Sequence, residues 1–517
     1  MKQQRVLMIV ADQWRGDTLG CTGHPVVRTP NIDALAKDGV VFPKHYTCSV
    51  PCGPSRATFL TGMYPQNHRM ITNGTPLNRD FTNMALELRK GGFDPVMFGY
   101  TDITPDPRDR APQDPALKSY EGVLPGFTVG AGLIEDNKPW LSDLKRKGYH
   151  VRKSGYDIYR PDRSVPEKGL TSQPAVFRAE DSDTAWLTDR VIDHLAMTEG
   201  EPFFVQANFI KPHPPFIAPA PYNDLYRGSN AIPSRTRAEN PEAEAESHPF
   251  MEYSLGIQKL SGFIKGVAEE EGDRPDQSVA SLSDEDIGNI RATYYGLMTE
   301  VDNQIGRLIR HLKDNDLYDD TMIIFTSDHG EQMGDHHMLG KASYFEASYH
   351  IPLIIKGPKG SVCGQTIDRF TESIDLLPTI LEANGLSVPH QCDGHSLLPF
   401  LQGREPETWR SFVCHHYDFR NVATRSAEEH FGLHSDSCNL SIIRDDNHKL
   451  VHFSALPPLL FDVKADPGEL KNLAGEPDYA PVLLDYTRRL LSWRMQNEYG
   501  ALDLMAATQD GLCVANR

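Results

Sequence analysis

A chain of 517 residues, 39% apolar and 24% charged, has the composition of a folded globular protein rather than a disordered one. At roughly 150 residues per unit it has room for two to four structural units. Its formal charge of −19 argues against a nucleic-acid partner, because a diffuse negative field repels polyanions, yet it leaves room for a small anionic substrate held by local cations.

No apolar run reaches the roughly 18 residues of a membrane span. The basic, briefly apolar start through Val10 lacks the length and the small-residue cleavage site of a signal peptide. Eight cysteines, at 21, 48, 52, 363, 392, 414, 438 and 513, form no regular framework. Scattered free thiols in a large chain point to a reducing cytoplasm.

In chain order, Arg5 to Val10 predicts a fully buried strand. A helix is expected from Asn31, as its cap, to a stop at Gly39, with Ile32, Leu35 and Ala36 on one face. Val40 to Tyr46 reads as a strand, Asn83 to Lys90 as a helix ended by Gly91 and Gly92, and Phe93 to Gly99 as a strand. The rhythm breaks over 102–180 and again over 214–280, stretches rich in Pro and charged residues. Lids, binding loops and surface or oligomer elaboration all fit such segments. Between and beyond them come a helix at 183–197, a strand at 202–210, a long amphipathic helix at 284–314, strands at 321–326 and 351–356, and a helix at 373–383. Alternation of this kind predicts an α/β fold with a mainly parallel sheet sandwiched by helices. From about 400 the pattern changes to antiparallel strands at 441–453 and 459–463 and a helix at 481–494.

Two of the buried strands run into acids: VLMIVA into Asp12 and Gln13, and MIIFTS into Asp328 and His329. Ligands of open parallel sheets bind beyond the carboxyl ends of the strands. Two carboxylates and an imidazole converging there suit one divalent cation. A third motif is Cys52-Gly-Pro-Ser-Arg56, with Pro54 suited to a helix start and Gly62 to its stop. Cys52 then sits at a helix N-terminus, where an anion, or a thiolate of lowered pKa, is stabilised.

Cys52-Gly-Pro-Ser-Arg56 resembles the C-x-P-S-R signature of type I sulfatases and the related phosphonate monoester hydrolases. The flanking blocks agree: Thr29-Pro-Asn-Ile-Asp, Leu60-Thr-Gly-Met-Tyr-Pro and Ser327-Asp-His-Gly, with a fainter match over Leu460-Phe-Asp-Val-Lys-Ala-Asp-Pro-Gly-Glu. The resemblance implies an alkaline phosphatase/sulfatase-like catalytic domain over 1–400 with insertions near 102–180 and 214–280. It also implies a smaller α+β domain over 401–495 and a tail over 496–517 that serves as an oligomerisation arm. It implies that Cys52 is oxidised to formylglycine by a dedicated enzyme, and that Asp12, residue 52, Asp328 and His329 bind one metal ion. Manganese is the expected ion, with calcium and magnesium as alternatives.

By the same resemblance Arg56 steadies the nucleophile, and Lys341 and His213 hold the anion or protonate the leaving oxygen. Asn73 and Tyr100 contact the non-reacting oxygens, and Gln13 supports from behind. Gln13 and His329 stand where many sulfatases carry Asp and Asn, a pattern similar to phosphonate monoester hydrolases and choline sulfatases. A formylglycine diol that expels its product by carbon–oxygen cleavage would release sulfate, phosphate monoester or phosphonate alike. The expected activity is therefore hydrolysis of phosphonate monoesters and phosphodiesters with added sulfatase activity, in a cytoplasmic homotetramer. The alternatives are a dedicated aryl or choline sulfatase, a two-metal phosphodiesterase, and a non-catalytic anion-binding homologue. His336 and His337 are read as loop residues.

Overall fold

The computed structural model describes the chain except residues 1–4, 135–136, 152–154, 199, 265–276, 501–504, 510 and 515–517. Its centre is an eight-stranded sheet built from β1 (Arg5–Ala11), β2 (Val40–Val41), β4 (Pro95–Gly99), β5 (Thr128–Gly132), β6 (Phe204–Phe209), β7 (Thr321–Thr326), β8 (Leu353–Lys356) and β9 (Gln365–Thr366). The order is β5-β4-β6-β1-β7-β8-β2-β9. The five strands from β5 to β7 are mutually parallel, and β8 runs antiparallel to β7 and β2.

The central strands are apolar on both faces because each face has its own core. In β1, Leu7 and Ile9 enter one buried cluster and Val6, Met8 and Val10 the other. In β7, Ile323 and Phe325 take the first side, Met322 and Ile324 the second. The 31-residue helix Asp284–Asp314 and the helices Pro30–Lys37 and Asp183–Met197 cover the first face. Helices Met84–Lys90 and Leu376–Ala383 cover the second. The long helix starts in a capping box formed by Ser283 and Asp286, which satisfies orphan backbone donors at its first turn.

Several expectations are corrected here. Val40 to Tyr46 is two short strands in different sheets, β2 and β3 (His45–Tyr46), the latter paired with β10 (Thr371–Glu372). Pro43 lies between them and offers no backbone donor to continue the ladder. Thr29, not Asn31, takes the cap position of the next helix. Asn31 lies inside that helix and donates to Asp302 at 2.7 Å. The segment 102–180 supplies the edge strand β5 and the helix Lys138–Arg146, and 214–280 carries helices Pro241–Glu246 and Pro249–Ile257.

The C-terminal part is an antiparallel sheet in the order β11 (Val413–Asp418), β12 (Asn439–Arg444), β13 (His448–Phe453), β14 (Leu459–Asp462), with helix Ala480–Gln496 beside it. It shares cores with the larger unit: Tyr46, Val50, Phe250 and Tyr344 pack with Val413, Ile442 and Phe453. The backbone N–H of His416 also donates to Cys48 O at 2.8 Å. The tail forms an exposed hairpin, β15 (Met505–Thr508) and β16 (Gly511–Val514). Among the described residues no helix is long and apolar enough to cross a membrane.

Candidate active site

Val10 of β1 lies beside Thr326 of β7 in parallel register, so Asp12 and Asp328 leave the sheet at the same edge. The helix Cys52–Thr61 docks over that edge with all ten residues buried, and Gly62 ends it at φ 68°, where a side chain is disfavoured. Ser55 ties the helix to β7 by donating to the Asp328 carbonyl, and its hydroxyl lies 2.9 Å from that of Thr47.

Arg56, fully buried, organises the acids. Its NH2 donates to Asp12 Oδ2 at 3.0 Å, its Nε to Asp328 Oδ2 at 3.0 Å, and Asp102 Oδ2 lies 3.3 Å from Nε. NH1 reaches Asn208 Oδ1 at 3.3 Å, and the guanidinium sits 4.5 Å from the Tyr100 ring centre. Tyr100 donates its own hydroxyl to Asp12 Oδ2 at 2.5 Å.

Asp12, Cys52, Asp328 and His329 each offer one ligand atom, all four within 4.8 Å of one another and all buried. Their chemistry fits a cation. Asp12 Oδ1 is buried without a hydrogen-bond partner among the described residues. His329 donates Nδ1–H to Gly330 O at 3.0 Å, which leaves the Nε2 lone pair facing Cys52 Sγ at 3.1 Å. Burial, aided by the Lys341 charge, holds His329 down to about 3, so the imidazole is neutral as a ligand must be. Burial and the adjacent Asp12 push Asp328 up to about 6. Burial also opposes ionising Asp12, but the positive charges of Arg56 and Lys341 overcome it and hold Asp12 below the usual carboxylate range.

The Cys52 thiol is pushed well above its ordinary value by burial and by Asp12. This corrects the expectation of a low-pKa thiolate: the surrounding carboxylates and desolvation outweigh the helix terminus. Unmodified, the residue is a poor nucleophile.

On the other side of Cys52, a chain of polar contacts sets Lys341. Glu331 accepts from Met333 N, Gly340 N and Gln13 Nε2. Gln13 Oε1 then accepts from Lys341 Nζ at 2.7 Å, and Lys341 Nζ donates to His213 Nε2 at 3.0 Å. His213 Nδ1–H donates to Pro214 O at 2.8 Å, which leaves Nε2 as the acceptor. Burial and the Lys341 charge lower His213 to about 3. Burial works against the Lys341 ammonium, but the carboxylates of Asp12, Asp328 and Glu331 hold its pKa above the ordinary lysine value. Of this pair, Lys341 carries the transferable proton. Asn73 Oδ1 accepts from Gly53 N at 2.8 Å, and the side chain lines the cleft beside Asp12 and Cys52.

All the residues singled out from the sequence converge on this edge except His336 and His337. His336 hydrogen-bonds Glu244 at 3.0 Å and stacks on Phe345, and His337 lies 3.2 Å from Ala238 O. Sequence reasoning missed Asp102, Asn137, Asn208 and Glu331. Only Asp102 carried a signal, lying two positions after Tyr100.

Two cavities meet at His213 and Pro214. One, about 50 Å³, is lined by Asp12, Cys52, Asn73, Tyr100, Asp102 and Asn137, among others. The other, about 300 Å³, borders Gln13 and Lys341 and is walled by Phe250, Tyr253, Phe263, Tyr417 and Phe419.

Residues 4–386 match the sulfatase family model, and residues 334–496 match the model of the N-sulphoglucosamine sulphohydrolase C-terminal region. The chain is 41% identical to the multifunctional alkaline phosphatase superfamily protein PehA of Trinickia caryophylli over the full length of both. The crystal structure of the phosphonate monoester hydrolase of Agrobacterium radiobacter superposes with a TM-score of 0.95 at 44% identity, with all of both chains covered. An arylsulfatase of Clostridium perfringens is 27% identical over 94% of this chain and 93% of its own.

Proposed function

The chain belongs to the sulfatase family, and from that premise we propose that it is a formylglycine- and metal-dependent hydrolase of phosphonate monoesters and phosphodiesters that also accepts sulfate esters. The observation that carries this reading is the buried set Asp12, Cys52, Asp328 and His329 facing the Lys341–His213 couple across the cleft. The greater similarity to the phosphonate hydrolase and PehA than to the arylsulfatase supports phosphorus over sulfur as the main reacting centre.

Oxidation of Cys52 to formylglycine by a maturation enzyme would supply the nucleophilic hydroxyl, and a divalent cation on Asp12, residue 52, Asp328 and His329 would polarise it. The chain's own groups do the rest. Arg56 holds Asp12 and Asp328 ionised and in place. Lys341 gives its proton to the leaving oxygen, and His213 Nε2, which accepts from the same ammonium, orients it. Asn73 sits where it meets a non-reacting oxygen. The departing alcohol leaves through the aromatic cavity bordered by Lys341. Manganese is the proposed ion, with calcium or magnesium as alternatives, because the donor set is oxygen and imidazole. The division into 1–400, 401–495 and a tail fits the two sheets, and the all-free cysteines support a cytoplasmic setting. A homotetramer is supported by the exposed apolar side chains Leu484, Leu491 and Met495 on the last long helix.

Mass spectrometry of the Cys52 peptide, from protein co-expressed with a formylglycine-generating enzyme, should show the mass loss of the aldehyde. The same protein should hydrolyse 4-nitrophenyl phosphonates and phosphodiesters faster than 4-nitrophenyl sulfate. An unmodified cysteine together with no turnover would return the chain to an anion-binding role.

A further inference from the structure

The smaller cavity holds a feature that the hydrolytic reading does not use. Asp102 and Asn137 line it, at 2% and 3% exposure. Asp102 Oδ1 and Asn137 Oδ1 are both buried without a hydrogen-bond partner among the described residues. Leaving such an atom dry costs about 1–3 kcal/mol, so two in one small cavity call for an occupant. Both residues also sit in the left-handed region, at φ 55° and 48°. Non-glycine residues held there are enriched at ligand-binding positions. They come from different segments, one following β4 and the other capping the helix Lys138–Arg146.

Carboxyl groups outnumber cations around them, and burial pushes the Asp102 carboxyl itself well above its ordinary value. Arg56 is shared by Asp12, Asp328 and Asp102, and Glu121 lines the same cavity. Once a dication is assigned to Asp12 and Asp328, the Asp102 side of the cavity remains acidic and rich in acceptors. At about 50 Å³ it has room for about four waters, against about 300 Å³ for the aromatic cavity. Lys341, the proton donor, borders the aromatic cavity and not this one, so the leaving alcohol and the retained substituent part company at His213.

Resting on the proposed ester hydrolysis, we infer that this cavity selects the retained substituent of the substrate: a chain of two or three heavy atoms ending in a hydrogen-bond donor, received by Asp102 Oδ1 and Asn137 Oδ1. An ammonium favours the ionised form of the Asp102 carboxyl, so it ranks above a hydroxyl. The preferred substrate is thus asymmetric, with a bulky apolar alcohol that departs and a small donor-tipped group that stays on phosphorus.

The test compares kcat/KM of the mature, metal-loaded enzyme for the 4-nitrophenyl monoesters of 2-aminoethyl-, 2-hydroxyethyl- and propylphosphonate. These share one leaving group and differ only at the tip of the retained chain. The expected order is amino, hydroxyl, propyl, with the first about tenfold above the last, the worth of one or two hydrogen bonds. Hydroxyl equal to amino would make neutral donation the basis, and amino alone would make charge the basis; either supports the cavity's role. In Asn137→Gly and Asp102→Gly, which suit the left-handed backbone, the amino-to-propyl ratio should fall toward one. Equal turnover of all three esters, or a ratio that survives in both variants, overturns this inference and leaves the hydrolytic reading standing. Turnover of none of the three overturns both.

Discussion

Two arginines, Arg56 fully buried and Arg410 partly so, gather carboxylates in this molecule, and they do so differently. Arg410 pairs with Asp375 and, at 3.3 Å, with Glu372, beneath the C-terminal sheet. There the acids are saturated. Glu372 also accepts from Tyr64 OH and Cys414 N, and Asp375 from His395 N and Glu372 N. Around Arg56 the acids keep idle oxygens, on Asp12 and Asp102. The first cluster has nothing left to bind and acts as a rivet between two units. The second has been left open at the edge of the sheet. Burial alone does not tell these two clusters apart; the oxygens left without a partner do.

The sharpest way to break this contrast is at Cys52. Cys52→Ala should cut turnover by about 10⁴-fold or more, as loss of a nucleophile does, with little change in thermal unfolding. A substantial residual rate would remove the nucleophile from the scheme. Arg410→Met should do the reverse. It strands Asp375 and Glu372 and should cost about 3–5 kcal/mol of stability, while molecules still folded keep their kcat. Equal loss of kcat and stability would erase the distinction between the two arginines.

Lys341→Ala should lower kcat/KM by about 10²- to 10³-fold on phenyl esters and much less on 4-nitrophenyl esters, whose alcohol needs no proton. An equal loss on both would assign Lys341 to binding alone. Manganese at about 100 times its dissociation constant should stabilise the protein by about 2.7 kcal/mol, read as a rise in Tm. Asp12→Asn should abolish the rise and Arg410→Met should keep it.

The smallest effect is one of pH. His45, His68, His415 and His416 are each held down to about 3, first by burial. Neutral in the fold and ordinary when unfolded, they contribute stability that is complete above about pH 6.5 and lost as the pH falls toward 3. A loss of about 2 kcal/mol per ring by pH 5 is expected, read by urea unfolding of the protein against its single His68→Gln variant. A flat profile over that window would show that these rings have water or acid partners.

Much of the open cluster was legible in the sequence. A buried strand announces itself by an apolar run, and an acid at its end must leave the sheet where ligands bind, so Asp12 and Asp328 needed no structure. Cys52 and Arg56 carried a specific motif. Asn137 and Glu331 had no such signal, because what matters about them is a contact with a distant segment: Glu331 meets Gln13, more than 300 positions away. The strand β11 was hidden by His415 and His416, polar in sequence yet buried in place. Val40 to Tyr46 misled because strand propensity is blind to which sheet a residue joins.

Tyr417 and Phe419, which help wall the aromatic cavity, belong to the C-terminal segment, whereas the cation-binding set comes wholly from the first 330 residues. Part of the wall of that cavity is therefore encoded apart from the candidate metal ligands, while Phe250, Tyr253, Phe263 and Lys341 come from the larger unit. Chimaeras that graft the C-terminal segment of one relative onto the body of another should exchange alcohol preference without touching the bond-breaking apparatus.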